Sequence, residues 1–343
     1  MTDHPDPNAY PANPVLVRVR RAGVVESVHR GAWCLTDASG EVLAGAGAHE
    51  HAYFARSAIK SLQAIPLLES GAAERFAFRD PEIALALASH AGESLHTETV
   101  HGTLERLGLG VRHLRCGVQP PTDPETRAAL RSREEAPSAL HHNCSGKHAG
   151  FLALAKHLGV APESYLDPTS ASQGLVRRAV AELCDLSEDA LVPGIDGCSA
   201  PTYRLSLRSL ATAFARLTNP EVLAQGRRAI AERLVGIAGR YPERIGASRK
   251  NLDTELLRAS GGRLFPKIGA EAVHAIGFVG AGRGLALKID DGGARALPWV
   301  VLGLLAGLGL ARPEELERLA PWRETRLRNF AGLEVGELEV VLP

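Results

Sequence analysis

Short runs of alternating apolar and polar residues predict that the chain begins with three strands. Val15 to Arg21, Val24 to Thr36 and Glu41 to Gly45 have this pattern. Turn-like residues join them, at Ala22-Gly23 and at 37–40. The protein should therefore open with an antiparallel meander.

A helix is predicted next, over Ser57 to Ser70. Gly71 is a natural stop for it, and Pro66 inside the segment predicts a kink, because proline cannot donate the backbone hydrogen bond that a helix needs. The apolar residues of this segment recur at the spacing of one helix face. They are Ile59, Leu62, Ile65 and Leu68.

The middle of the chain has the signals of further helices, and strands return near its end. Beyond Phe265 the helical pattern weakens, and Ala275 to Val279 and Gly284 to Asp290 have the pattern of short strands. An apolar helix should follow near Val300 to Leu310. In the middle segment, helix starts are marked by Asp or Asn before proline, at Asp80, Asp123, Asp167 and Asn219.

The order of these elements is strands, helices, strands and a helix, which predicts an α/β fold of the α+β type. An antiparallel sheet built from both chain ends, with helices packed on it and a largely helical middle segment, satisfies this order. We expect a single unit over residues 1–343. Its sheet-containing lobe should comprise about 14–80 plus 265–343, and its largely helical lobe about 81–264.

Composition narrows the class of protein. The 343 residues carry a formal net charge of zero, so no broad attraction to nucleic acid or to an anionic membrane is expected. Met1 to Asn13 lacks the charged start and apolar run of a secretory signal. The longest apolar stretch, Ala296 to Ala311, is short and interrupted by proline and glycine, which favours a core helix over a membrane span. Five cysteines without a CxxC pair argue against a disulfide framework and favour the cytoplasm.

Lysine is rare in this chain. Lysine and arginine together number 39, and only six of them are lysines. A lysine retained in a chain that prefers arginine indicates a position that needs a compact amine able to lose its proton. The six are Lys60, Lys147, Lys156, Lys250, Lys267 and Lys288.

Ser57 and Lys60 form the first candidate site for chemistry. Positions three apart share a helix face, so the amine of Lys60 can reach the hydroxyl of Ser57. A neutral amine that takes the hydroxyl proton makes the oxygen nucleophilic, and the first helical turn adds the positive end of the helix dipole. A solvated surface pair is the alternative, and the rarity of lysine argues against it.

Two further segments carry groups of the same kind. Ala88 to Glu93 ends an apolar helical run with Ser89, which suits either a pocket wall or a helix end whose side chains satisfy backbone groups. Lys267 and Gly269 lie where strands resume. A late Lys-x-Gly on a strand, facing an early Ser-x-x-Lys, is similar to the arrangement in penicillin-recognising serine hydrolases. A surface lysine in a loop is the alternative.

Reactive side chains crowd together between His141 and His148. Cys144 in this segment is a candidate nucleophile or metal ligand, although the spacing matches no standard zinc motif. The alternative is a buried cysteine beside a helix start that Ser145 caps. Cys198 lies in the glycine-containing loop Asp196 to Thr202, which alone indicates little because a buried free cysteine is common.

Together, these segments resemble the asparaginase II family, the class 3 L-asparaginases. The Arg-Ser-x-x-Lys, Ser-His-x-Gly-Glu, His-Asn-Cys-Ser-Gly-Lys-His and Asp-Gly-Cys motifs occur in the family's order, and the resemblance runs from Val15 to the C-terminus. It implies a fold similar to serine β-lactamases and serine glutaminases, with two Ser–Lys pairs in one site. The matching pairs are Ser57 with Lys60 and Ser89 with Lys267.

The resemblance also implies a zinc ion near the substrate, held by two cysteines and a lysine. The matching residues are Cys144, Lys147 and Cys198, and the lysine must be neutral to bind the metal. Asp196 and a water complete the metal shell or lie just outside it.

Three positions depart from the family's pattern. Ser61 stands where proline commonly follows the first catalytic lysine, and Ser199 where glycine commonly follows the second cysteine. Ala91 stands where a serine is usual. These departures leave every proposed catalytic group in place, so they bear on pocket shape and substrate preference.

The sequence therefore predicts an amidohydrolase that converts L-asparagine to L-aspartate and ammonia. Ser57 should attack the side-chain amide with Lys60 as base, while Ser89 and Lys267 assist, and which serine forms the acyl-enzyme stays open. The zinc should orient the substrate or shape the pocket, because it is not needed to generate the nucleophile. The candidate substrate-binding residues are Arg56, Glu93, His148 and Asp196.

Two other functions stay open at this point. One is a glutaminase or a β-lactamase-like hydrolase acting on another amide. The other is a non-enzymatic zinc-binding relative, against which the retention of both Ser–Lys pairs argues. For partners, we expect a small-molecule substrate, L-asparagine, and a homodimer that binds neither nucleic acid nor membrane.

Overall fold

The computed structural model describes residues 10–342, so most of the segment Met1 to Asn13, where no secretory signal is expected, lies outside the described residues. Within residues 10–342 there are eleven strands and fourteen α-helices. The strands are β1 (Val15–Arg21), β2 (Val24–Asp37), β3 (Val42–Ala46), β4 (Ala52–Phe54), β5 (Val192–Ile195), β6 (Pro201–Ser206), β7 (Leu264–Gly269), β8 (Val273–Phe278), β9 (Arg283–Ile289), β10 (Arg326–Arg328) and β11 (Glu334–Val340).

The helices are α1 (Lys60–Gln63), α2 (Ile65–Glu69), α3 (Ala72–Arg75), α4 (Asp80–Leu87), α5 (Ser94–Arg106), α6 (Pro124–Ser132), α7 (Ser145–His157), α8 (Ala171–Leu183), α9 (Leu207–Thr218), α10 (Gln225–Arg240), α11 (Pro242–Ile245), α12 (Leu252–Ser260), α13 (Leu297–Gly307) and α14 (Pro313–Arg318). No helix in this described part of the chain combines the length and the apolar character needed to cross a bilayer.

The long strand β2 joins the two halves of the main sheet. Its residues 24–30 pair with β1, while residues 31–37 pair with β9 on the opposite edge. The strand order is β10-β11-β1-β2-β9-β8-β7, β3 also pairs with β2, and every pairing is antiparallel. The predicted antiparallel sheet built from both chain ends is thus confirmed, and the three strands of the opening meander begin and end within one residue of their predicted positions.

Side chains alternate between the two faces of this sheet, and the alternation sorts them by size. Trp33 of β2 and Leu285 of β9 belong to the core that α12 and α13 cover. Cys34 and Ala286, their neighbours in sequence, belong to the core on the opposite face, where α9 contacts β2, β8 and β9. The period of two explains this sorting, and the smaller side chains let α9 approach closely.

The closest approach of α9 is over two paired glycines, Gly277 of β8 and Gly284 of β9. A Cβ atom added at Gly284 would lie 1.9 Å from the carbonyl oxygen of Ala211, and one added at Gly277 would lie 2.7 Å from that of Phe214. Ala211 and Phe214 both belong to α9. The backbone of this helix therefore rests directly on the strands.

A second, small sheet with the order β4-β6-β5 was not predicted. Two of its strands, β5 and β6, lie within the segment predicted as largely helical. They were missed because Pro193 and Gly194 interrupt β5, whose residues do not alternate between buried and exposed positions. β4 leads directly to Arg56, and β6 follows the loop that holds Cys198, so this sheet brings the two segments together.

The predicted helix over Ser57 to Ser70 is present in three pieces. A 3₁₀ turn, Arg56–Ile59, runs into α1, and α2 follows after Ala64. Pro66 lies in the first turn of α2, where its missing N–H leaves one helical hydrogen bond unmade. The break is the predicted kink.

β7 is an edge strand whose outer side is closed by α12. The N–H of Leu264 donates to the Ser260 hydroxyl at 3.0 Å, and the N–H of Ile268 donates to Asp253 at 2.8 Å. Pro266, between them, has no N–H. These alternate residues are the ones whose backbone groups point away from β8, so the edge offers no free donor to another strand.

We predict that Gly284→Ala destabilises the protein by about 2–3 kcal/mol, because the new methyl group overlaps the backbone of α9. Gly174→Ala is the matched control, since a Cβ at that position in α8 meets nothing within 4 Å. The control should leave stability unchanged or raise it by up to about 1 kcal/mol. Urea unfolding of both variants measures the difference, and equal midpoints would contradict the packing of α9 on β9.

Candidate active site

Four parts of the chain meet around the hydroxyl of Ser89. They are the 3₁₀ turn with α1, the extended segment after α4, the start of α7, and β7. α4 ends at Leu87, and Ala88 has extended backbone angles. The N–H groups of Ser89 and Ala91 then donate to the carbonyls of Ile245 and Gly246 at 3.0 and 2.8 Å. Backbone pairing thus fixes the position of Ser89.

Two buried lysine amines flank the Ser89 hydroxyl. The Nζ of Lys60 lies 3.1 Å from Ser89 Oγ, and the Nζ of Lys267 lies 2.9 Å from the same atom. Both lysine residues are almost inaccessible to solvent, with 0% and 1% of their surface exposed. Lys60–Ser89–Lys267 is therefore a continuous hydrogen-bonded chain, which we call the lysine relay.

Each amine of the relay also donates to backbone carbonyls. Lys60 Nζ donates to Ala88 O at 2.5 Å and Asn143 O at 3.4 Å, and Lys267 Nζ donates to Ile268 O at 2.8 Å. When two N–H groups of the Lys60 amine point at carbonyls, the third tetrahedral position on Nζ points at Ser89. That direction suits a donor N–H when the amine is charged and a lone pair when it is neutral.

Ser57 lies in the 3₁₀ turn, one helical turn before Lys60, and is 9% exposed. The expected pairing of Ser89 with Lys267 is present as a hydrogen bond. The expected pairing of Ser57 with Lys60 is not: the amine of Lys60 donates to Ala88 O, Asn143 O and Ser89 Oγ instead. β7 reaches this turn at Gly269, where an added Cβ would lie 2.8 Å from Ala55 O. Only glycine permits the end of β7 to come so close to the turn that carries Ser57.

Burial lowers the pKa of Lys267 to about 7, because an ammonium group inside the protein loses its hydration. The carboxylate of Asp253, 3.8 Å from Lys267 Nζ, works in the opposite direction. Burial alone would raise the pKa of Asp253, but His274 and Lys267 stabilise its carboxylate and keep that pKa below its ordinary value. Lys267 thus exchanges its proton near neutral pH.

Arg56, the residue before Ser57, forms an ion pair with Asp196. Arg56 Nε and Nη2 both lie 2.7 Å from Asp196 Oδ1. Arg56 has a positive φ of 51°, and its N–H donates to the hydroxyl of Thr202. Its side chain is partly exposed and lines a groove of about 560 Å³. The strained backbone turns this side chain across the loop that contains Asp196.

Glu93 and His148 are engaged with other protein groups. The two carboxylate oxygens of Glu93 accept hydrogen bonds from the N–H and the hydroxyl of Ser248, at 2.8 and 2.5 Å. His148 is fully buried, with Nδ1 2.6 Å from the hydroxyl of Tyr165, and burial keeps its pKa well below the ordinary value. Within residues 10–342, His148 Nε2 has no hydrogen-bond partner.

The two cysteines and the lysine implied as metal ligands lie together. The thiol of Cys144 donates to Asn143 Oδ1 at 3.0 Å and lies beside Cys198, whose Sγ accepts from Lys147 Nζ at 3.3 Å. All three residues are buried. Within the described part of the chain, no cluster of three or more His, Cys, Asp or Glu side chains has the arrangement of a metal site. The donor set is therefore two sulfurs and one amine, which we call the sulfur cluster.

The protons of the sulfur cluster are unevenly held. The hydrogen bond from Cys198 lowers the pKa of Cys144 well below that of an ordinary thiol, with help from the amines of Lys60 and Lys147. Its hydrogen bond to Cys144 and burial raise the pKa of Cys198. Burial works to lower the pKa of Lys147, but the charge on the two sulfurs outweighs it and the pKa is raised.

The departures from the family's motif pattern have local explanations in two cases. Ser199 has a positive φ of 66°, the region that glycine adopts without strain, so the usual glycine fits this turn. Ser61 is buried, and within residues 10–342 its hydroxyl makes no hydrogen bond, so an apolar residue such as proline suits the position better. Ala91 has its backbone fixed by Gly246 and Asp123, which its side chain does not affect.

Sequence reasoning missed Asp253, His274 and Tyr165, which contact site residues from behind. Asp253 belongs to α12 and His274 to β8, and neither stands in a motif. The only available signal was an acidic residue on the apolar side of α12, next to Leu252 and one helical turn before Leu256. That signal identifies a buried carboxylate and gives no information about its partner.

Comparison with known proteins places this site in context. The L-asparaginase II family model matches residues 17–340, while a search of curated proteins finds no match. Among solved structures the chain is similar to a β-lactamase from Mycobacterium bovis, with 16% identity, a TM-score of 0.41, and coverage of 81% of this chain and 94% of that chain. A TM-score this low supports no conclusion about the fold or the function of this protein. Because the family match spans nearly the whole chain, the protein belongs to the L-asparaginase II family.

Proposed function

We propose that this amidohydrolase of the L-asparaginase II family converts L-asparagine to L-aspartate and ammonia. The observation that carries the proposal is the Ser89 hydroxyl held between the buried amines of Lys60 and Lys267. Ser57 lies one helical turn before Lys60. An amine with a pKa of about 7, as at Lys267, can both take and return a proton at neutral pH.

Ser57 is the proposed nucleophile. Its oxygen bonds to the side-chain carbonyl carbon of asparagine while a neutral Lys60 amine takes the hydroxyl proton. The carbon–nitrogen bond then breaks, and ammonia leaves after a proton reaches it through Ser89 from one of the two lysines. A water molecule hydrolyses the resulting ester, which releases aspartate and returns a proton to Ser57.

Arg56 is the proposed anchor for the α-carboxylate of the substrate. It uses Nε and Nη2 on Asp196, and within residues 10–342 its remaining guanidinium N–H groups make no hydrogen bond, so they can bind a second carboxylate. Asp196 fixes the guanidinium and offers an oxygen to the substrate ammonium. Glu93 supports the site indirectly by holding Ser248, and His148 does so by tying α7 to the hydroxyl of Tyr165.

The closed edge of β7 favours a small substrate. An extended peptide binds a sheet edge through free N–H and C=O groups of the edge strand. Here Ser260 and Asp253 occupy the outward N–H groups of β7. We therefore favour a free amino-acid amide over a peptide-like amide such as a β-lactam.

We further propose that the sulfur cluster holds zinc through Cys144, Lys147 and Cys198. Two soft thiolates and a nitrogen donor, with no carboxylate oxygen among them, suit zinc better than magnesium or calcium. Binding requires the cysteines and Lys147 to lose their protons. The bound metal would supply a positive charge that orients the substrate beside Arg56, while the serines and lysines carry the chemistry.

The direct test of the proposed function is ammonia release from asparagine and from glutamine, with and without added zinc. Faster turnover of asparagine supports the proposal, and faster turnover of glutamine makes the protein a glutaminase. Hydrolysis of a chromogenic β-lactam in place of both would indicate a β-lactamase-like amide hydrolase. No turnover of any substrate by zinc-loaded protein would favour a non-enzymatic zinc-binding relative.

Ser57→Ala should lower kcat by at least about 1,000-fold, since no other group then forms the acyl bond. Ser89→Ala keeps the nucleophile but breaks the relay, so an acyl-enzyme should accumulate on Ser57 and be visible by mass spectrometry after rapid quenching. Circular dichroism confirms that both variants fold. An adduct found on Ser89 in wild-type protein would reverse the roles of the two serines.

Activity should rise with pH through about 7 and level off above it, because Lys267, whose pKa is about 7, must be neutral to accept a proton from Ser89. Lys60→Arg and Lys267→Arg keep the positive charge but supply no neutral amine, so both should be nearly inactive. Lys156→Arg is the control, because Lys156 binds Leu107 O away from the site. A kcat/KM that stays constant between about pH 5.5 and 9, the range over which such an amine loses its proton, would contradict a lysine base.

Cys144→Ser and Cys198→Ser should lose zinc yet keep part of the maximal rate at high asparagine, so KM should rise more than kcat falls. Cys184→Ser is the matched control, since Cys184 is an equally buried thiol outside the cluster. Elemental analysis and kinetics are carried out on the same samples, and zinc occupancy should fall as the pH is lowered. Complete loss of kcat in metal-free protein would show that zinc takes part in the chemistry.

A further inference from the structure

We propose that Asp253 is a positioning residue that holds the Lys267 amine against Ser89 and governs when that amine is protonated. None of the family's motifs contains Asp253, and the proposed mechanism assigns it no step. The inference rests on the proposed function, because it assigns a purpose to the relay.

The carboxylate of Asp253 is fixed by two donors. Its Oδ2 accepts from the N–H of Ile268 at 2.8 Å, and its Oδ1 lies 2.8 Å from Nε2 of His274. Asp253 and His274 are each 1% exposed. Because strand β7, strand β8 and helix α12 all contribute to this arrangement, the carboxylate has no freedom to turn away from Lys267.

Within residues 10–342, Asp253 is the negative group that acts most strongly on Lys267. Lys60 of α1 repels the Lys267 ammonium, and the neutral hydroxyl of Ser89 accepts from it. Cys144, immediately before α7, adds a weaker negative contribution. Across the narrow gap of 3.8 Å, Asp253 opposes both burial and Lys60.

This balance has a functional consequence. Without Asp253, burial and Lys60 would keep Lys267 neutral well below neutral pH, so it could not hold the proton that ammonia needs on leaving. With a fully exposed amine, Lys267 would stay charged and could not accept a proton from Ser89. The carboxylate places the amine between these limits, and its hydrogen bond to Ile268 fixes the strand residue next to the lysine.

The rarity of lysine provides a direct measurement. With only six lysines in the chain, protein labelled with ¹³C at the lysine ε-carbon gives six signals, and the Lys267→Arg variant identifies the one from Lys267. Its chemical shift against pH reports the protonation of the amine without any need for turnover. The same samples give the pH profile of kcat/KM on asparagine.

Asp253→Asn should move the titration of Lys267 to lower pH by about one unit or more, because it removes the negative charge and keeps the shape. The limb of the kcat/KM profile that reports Lys267 should move by the same amount. His274→Leu should move the titration the other way, by about half a unit, because the carboxylate loses a donor that disperses its charge. A purely structural role would not produce shifts of opposite sign.

Glu315→Gln is the matched control. Glu315 is also a buried carboxylate with two fixed donors, Arg263 and the N–H of Arg312, but it lies in α14 outside the site. It should leave the Lys267 titration unchanged. An unchanged titration in folded Asp253→Asn overturns the proposal. If that variant does not fold, a downward or absent shift in His274→Leu overturns it.

The outcome is separable from that of the proposed function. If the wild-type protein releases no ammonia from asparagine while the two titration shifts appear with the expected signs, asparagine hydrolysis fails and the control of Lys267 by Asp253 stands. If asparagine is hydrolysed and the shifts are absent, the function stands and the role of Asp253 fails.

Discussion

Burying two lysine amines side by side is the constraint on which the rest of the site depends. A lysine without solvent costs several kcal/mol in lost hydration unless hydrogen bonds and opposite charges replace the water. Lys60 and Lys267 obtain these replacements from backbone carbonyls, from the hydroxyl of Ser89 and from one carboxylate. Such carbonyls are scarce inside a protein, because helices and sheets use theirs internally.

The fold supplies these carbonyls where regular elements end. Ala88 O is available because α4 stops one residue earlier, and Asn143 O, which precedes α7, accepts from both the N–H of His90 and the amine of Lys60. Ile268 O points outward because β7 is an edge strand. The same edge would attract other chains, but α12 closes it with the carboxylate of Asp253. One interaction therefore protects the sheet and sets the charge on the relay.

The sequence was informative about elements with a strong period and about residues in motifs, and it gave less about partners. The opening meander and the antiparallel sheet from both ends follow from alternation over many residues, whereas β10 and the strands of the small sheet are too short or interrupted to show it. Helical spacing put Ser57 beside Lys60, yet a long side chain chooses its partner from the whole fold. The amine turns towards Ser89, which no local pattern could reveal. Asp253 was hidden for the same reason.

The sulfur cluster and the lysine relay share a stretch of backbone, and this contact bears on what a metal would do. Asn143 O holds the amine of Lys60, and the next residue is Cys144. Cys198 follows two residues after Asp196, which holds Arg56. A bond between the two sulfurs through a metal would therefore restrain a catalytic amine on one side and the proposed carboxylate anchor on the other. In the proposed mechanism the relay generates the nucleophile from its own amines, so such a restraint would act on the alignment of the substrate with the serine. Alignment is a geometric contribution that a metal can make without touching the reacting bond.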